Sequence, residues 1–133
     1  GINYNFVKAN IGSNAQGFTD GNAMPGVPRQ TLIANVNYQF IDNGFITLSH
    51  AWRERSYDMG DFDNARDKEQ PLYSSTDLSV NYNLKNVSKF EDVAIFGSIN
   101  NIFEHTNAIA VNGNSFYVSS FERSFLAGIK VNF

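Results

Sequence analysis

Cysteine is absent from this 133-residue chain. That excludes disulfides and thiolate metal sites. No apolar run approaches the roughly 20 residues a membrane-spanning helix needs. Basic residues are outnumbered, 10 Lys and Arg against 13 Asp and Glu, for a net charge of -3. No basic cluster appears, so a nucleic-acid surface is excluded as a reading. No signal-peptide pattern opens the sequence, and for an exported protein this places the true amino terminus elsewhere. Internal repeats and low-complexity tracts are missing. So is any stretch with the helical period of about 3.6 residues.

What is present is aromatic and alternating. The chain has 12 Phe and 6 Tyr against a single Trp. Hydrophobic residues make up 42% of it, yet mean hydropathy is -0.30. A transmembrane β-barrel hides its apolar signal this way, because every second residue faces water. The clearest alternation lies in the last segment, Arg123-Ser-Phe-Leu-Ala-Gly-Ile-Lys-Val-Asn-Phe133. Phe125, Ala127, Ile129, Val131 and Phe133 share one face of a strand, and Ser124, Gly128, Lys130 and Asn132 share the other. Leu126 is the one apolar residue on the polar side. A final strand ending on Phe looks like the closing strand of an outer-membrane barrel.

The same period predicts six strands near Ile2–Ala9, Gln30–Phe40, Gly44–Arg53, Ser74–Leu84, Asp92–Phe103 and Arg123–Phe133. Ile41-Asp42-Asn43 reads as a tight turn and Lys85–Glu91 as a short one. The links 10–29, 54–73 and 104–122 are each about 20 residues long, which is uncommon in compact soluble domains. Short turns at one end and long loops at the other are the rhythm of an outer-membrane barrel. The fold class expected is therefore all-β: an antiparallel meander of about six strands, forming one partial segment over residues 1–133. Bacterial single-chain barrels begin at about eight strands, and open edges are not tolerated in lipid. The expectation is a carboxy-terminal part of a larger transmembrane β-barrel. Asp77, Ser79, Asn81, Asn83, Asn35, Asn37 and Lys130 are then expected to face its lumen.

Individual motifs read as architectural. Pro25 and Pro28 cannot donate to a ladder, so they belong just before a strand. Asn100 and Asn101 stand where a strand meets a loop, where their side chains can satisfy stray backbone groups. Gly97 and Gly128 suit a bend or a close approach. The charged stretch after Arg53 carries Asp58, Asp61, Asp63 and Asp67, oxygen ligands of the kind calcium takes. Their spacing does not fit an EF-hand loop, and a solvated, salt-bridged loop is the default. Two histidines, His50 and His105, read as interface and loop residues rather than ligands. No nucleophile elbow is present, so an enzyme is not expected, and no cofactor is implied. Arg53, Arg55, Tyr57, Tyr73, Tyr117 and Arg123 form the candidate substrate-binding set. Aromatic and Arg side chains on exposed loops can grip an anionic, ring-bearing ligand.

Three segments carry a family resemblance. Gly21-Asn-Ala-Met-Pro-Gly-Val-Pro-Arg-Gln-Thr-Leu32 contains Pro-Gly-x-Pro followed by a basic residue. Ile99-Asn-Asn-Ile-Phe-Glu104 is similar to an apolar-x-Asn-Leu-Phe-Asp strand end, with Glu for Asp. The final segment matches Arg-x-Phe-x-x-Gly with a terminal Phe. In this order, and with Ala51-Trp-Arg-Glu-Arg-Ser56 as a weaker fourth match, they resemble TonB-dependent outer-membrane receptors. The resemblance implies energised uptake of a ferric siderophore or similar scarce nutrient at the bacterial outer membrane. It implies as partners outer-membrane lipid and lipopolysaccharide, a plug domain outside these residues, TonB through that plug, and the barrel-assembly machinery. Phe133 would be the assembly signal. The alternatives are a small oligomeric outer-membrane barrel acting as porin or adhesin, and a soluble β-sheet ligand-binding module.

Overall fold

The computed structural model describes residues 1–12, 20–65, 69–87, 90–112, 115–119 and 122–132, and the side chains of all of these except 86–87, 108–112 and 115–119. The six main strands are β1 (Ile2–Phe6), β2 (Gln30–Ile41), β3 (Gly44–Arg53), β6 (Tyr73–Val87), β7 (Phe90–Asn100) and β10 (Ser124–Asn132). They form one sheet in the order β1-β2-β3-β6-β7-β10. Every neighbouring pair is antiparallel. The sheet is thus an all-β meander in which sequence neighbours are also spatial neighbours. β1 and β10 stand at its two edges.

Two of the long links hold strands too short for periodicity to reveal. β4 (Ser56–Tyr57) pairs with β5 (Glu69–Gln70), and β8 (Asn107–Asn112) pairs with β9 (Ser115–Ser119). β7 stops at Asn100 and does not run on to Phe103, because Asn101 turns the chain with φ at 51°. At the opposite end, Asp42-Asn43 closes the β2–β3 hairpin with Asn43 at φ 61°. Asn tolerates this left-handed conformation better than most residues.

The register fixes the two faces. One row runs Val36, Leu48, Leu78, Ile99, Phe125 across five strands. The next rows run Tyr38, Ile46, Val80, Gly97, Ala127 and, beyond β3's Gly44, Tyr82, Ile95, Ile129. Opposite them lie Asn37, Thr47, Ser79 and Ser98 in one row and Asn35, Ser49 and Asp77 in another. Thr47 Oγ1 donates to Asn37 Oδ1 at 2.7 Å, a cross-strand bond within the polar face.

Among the described residues no hydrophobic core packs against either face. Among the described residues Ile11 is the sole buried hydrophobic side chain, while Phe125 is 71% exposed, Ile129 68% and Val36 61%. Burial of apolar area, at about 25 cal/mol per Å², normally drives folding in water. A sheet this apolar on one side finds no such burial among the described residues, so its apolar face matches a hydrocarbon solvent. On the polar face, the Phe96 ring lies over Gly128, with ring atoms 2.9 and 3.1 Å from where a Cβ would sit. Gly97 has only an ordinary contact, the Leu126 carbonyl at 3.5 Å, and nothing there demands glycine.

Candidate functional site

The buried polar residues gather where β3, β6 and β7 meet the long loops. They are Ser56, Asp58, Gln70, Ser74, Thr76, Asn101 and Asn107. Three asparagines organise this end. The Asn107 side chain accepts from Ser74 N at 2.9 Å and donates to Ser74 O at 2.9 Å. Asn64 does the same to Ala23, accepting at 2.7 Å and donating at 3.0 Å. Asn101 donates to His105 O at 2.9 Å and accepts from His105 N at 3.1 Å. A carboxamide carries an acceptor and a donor side by side, so it can bracket one residue's N–H and C=O as a strand neighbour would. In this way loops gain ladder-like bonds without a ladder.

These brackets tie the loops together. Asn64 joins the link after β1 to the link after β3, and Asn22 Nδ2 adds a bond to Phe62 O at 2.9 Å. Gly26 N donates to Tyr57 O at 2.9 Å, with Gly26 at φ 73° inside the Pro25–Pro28 segment. β8 lies against β5 and β6. Asp77 Oδ1 accepts from Asn101 N at 2.8 Å and from Ser75 Oγ at 3.0 Å, which fixes the end of β7 to β6. Asn100 does not cap the turn; its Nδ2 donates to Ser124 Oγ at 3.1 Å across to β10.

A cleft opens between the first two loops. Ala23, Val27 and Arg29 line one side, and Glu54, Arg55, Ser56, Tyr57 and Glu69 the other. Of the sequence-derived candidates, Arg55 and Tyr57 reach it. Arg53 and Tyr73 are cross-strand partners beside it, with the guanidinium 5.8 Å from the ring centroid. Arg123 stands apart on β10's side, 3.0 Å from Glu104. The side chain of Tyr117 lies outside the described residues. Arg29, Glu54 and Glu69 were not among the candidates, because their convergence depends on how two loops are registered against each other.

The cleft's charges are only partly matched among the described residues. Arg55 Nη1 is 3.6 Å from Glu69 Oε2, with the Arg55 side chain 68% exposed. A pair so loose and wet contributes about 0–1 kcal/mol. Glu54 Oε2 is shielded from solvent and has no hydrogen-bond partner among the described residues, and the same holds for Arg53 Nε and Nη2. Each such orphan costs about 1–3 kcal/mol, a penalty that a ligand or neighbouring segment can relieve.

The acidic candidates are placed differently. Asp58 is buried, and Asp61 Oδ1 accepts from Ala65 N at 2.9 Å, closing a turn. Asp67 lies outside the described residues, as does Phe133. Among the described residues no group of three or more His, Cys, Asp or Glu is arranged to hold a metal ion. His50 Nδ1 is 2.9 Å from Thr76 Oγ1 on the sheet's apolar side, in the row next to Trp52. His105 has its backbone held by Asn101 and its ring 6.3 Å from Phe103.

A family model described as "TonB dependent receptor-like, beta-barrel" matches residues 1–102. No curated protein matches the chain.

Proposed function

The chain belongs to the TonB-dependent receptor-like β-barrel family, a family of outer-membrane receptors with a transport role, and on that premise we propose that it forms six wall strands and three surface loops of a larger barrel importing a scarce nutrient. The observation that carries this reading is the uncovered apolar face across the six-stranded sheet, with Ile11 the sole buried hydrophobic side chain among the described residues. Unpaired edges at β1 and β10 cannot stand in lipid, so further strands complete the wall. Plugged barrels of this kind have about 22 strands.

The location is the bacterial outer membrane, with lipid and lipopolysaccharide against the apolar face and the Asn- and Ser-rich face toward the lumen. The lumen holds a plug domain outside these residues, and TonB acts through that plug. The assembly machinery reads the carboxy-terminal strand. The short turns point to the periplasm and the long loops to the cell exterior. The nutrient is a ferric siderophore or similar chelate, which the Arg53–Tyr73 stack and the Arg55- and Tyr57-lined cleft are suited to meet.

The test is uptake by the source bacterium under iron limitation, using radiolabelled iron on a panel of siderophores. Deleting the gene for the whole receptor, or disrupting TonB, is expected to lower uptake of at least one chelate to background. Full uptake of every chelate in both strains would overturn the iron assignment.

A further inference from the structure

We propose that the cleft between the first two loops binds a zwitterionic head, an ammonium and a carboxylate carried by one small molecule. The proposal rests on the receptor reading above and names what this part of the surface recognises on the nutrient. Its charges are balanced, two guanidiniums from Arg29 and Arg55 against two carboxylates from Glu54 and Glu69. A polyanion entering here meets two carboxylates, and a polycation meets two guanidiniums. A zwitterion can match both signs at once.

Each charge is placed to accept a partner. Arg29 is exposed and forms no ion pair with any described residue. The Arg55–Glu69 contact at 3.6 Å is loose enough to exchange for a ligand. Glu54 Oε2 has no donor among the described residues, and an ammonium N–H is a donor it can take. Tyr57 and Val27 add an apolar wall for the rest of the molecule. The walls are held before any ligand arrives, by the Gly26–Tyr57 backbone bond and the Asn64 bracket on Ala23. Such preorganisation lowers the ordering cost of binding.

Calorimetry on the full-length receptor in detergent micelles tests this with three probes: L-phenylalanine, its amide, which keeps only the ammonium, and its N-acetyl derivative, which keeps only the carboxylate. The amino acid is expected to bind about ten-fold or more tighter than either derivative. Glu54→Gln should reduce its affinity to that of the N-acetyl form, and Arg29→Gln to that of the amide. Arg29 is exposed, so its replacement leaves folding intact, and an unchanged heat-modifiable band on a gel checks both variants. Equal binding of the three probes, no binding of any, or binding indifferent to both substitutions overturns the proposal. TonB-dependent iron uptake is measured separately. If it persists while the probes fail, only the zwitterion site falls; if it is absent, the iron assignment falls.

Discussion

Arginine at position 48 is expected to destabilise the folded receptor by about 2–4 kcal/mol, whereas arginine at Ser79 costs less than about 1 kcal/mol. Leu48 lies midway along β3, between Val36 and Leu78 in the apolar row. Ser79 lies opposite Thr47 and Ser98 on the polar face. A guanidinium at the centre of the lipid-facing band loses its hydration without gaining a partner. The same group facing a wet lumen does not. Guanidinium titration of the full-length receptor in phospholipid vesicles reads the difference. Equal effects of Leu48→Arg and Ser79→Arg would mean that the two faces do not meet different solvents.

Asn101→Ala is expected to cost about 2–4 kcal/mol. Alanine at φ 51° carries a backbone penalty of about 1–2 kcal/mol. It also removes both side-chain bonds to His105 at a site only 3% exposed, and each orphaned group adds about 1 kcal/mol or more. Asn101→Gly keeps the turn and loses the side-chain bonds, so it should fall between wild type and alanine. Limited proteolysis within residues 104–122 should speed up in the same order. If glycine and alanine behave alike, the left-handed backbone is not what selects asparagine here.

The meander was legible because lipid on one side and water on the other impose a two-residue period on every wall strand. Leu78, Val80 and Tyr82 against Ser79, Asn81 and Asn83 display it most plainly. What was illegible follows from the loops. Ser56–Tyr57 and Glu69–Gln70 are too short to show any period. The β8–β9 ribbon had a signal in the Asn-Gly dipeptide at 112–113, set between β-prone runs of sequence, one that loop length alone obscured. Asn64 and Asn107 look like any other loop asparagine until their partners are placed, since a bracket depends on a distant residue's backbone. Arg53, Arg55 and Tyr57 could be found from residue type and loop position. Arg29, Glu54 and Glu69 could not, because only the fold brings them into one cleft. Arg123 stands apart from that group, beside β10 at the sheet's far edge, paired with Glu104.

The central claim is that the apolar face of this sheet lies in lipid and the other face in water. Single spin labels along β6 of the full-length receptor in vesicles test it most directly, and these 133 residues contribute no cysteine of their own to confuse the labelling. Collision with dissolved oxygen should peak at Leu78, Val80 and Tyr82. Collision with a water-soluble nickel chelate should peak at Ser79, Asn81 and Asn83, out of phase with oxygen. In-phase profiles, or nickel reaching Leu78 and Val80 as readily as Ser79, would contradict the account.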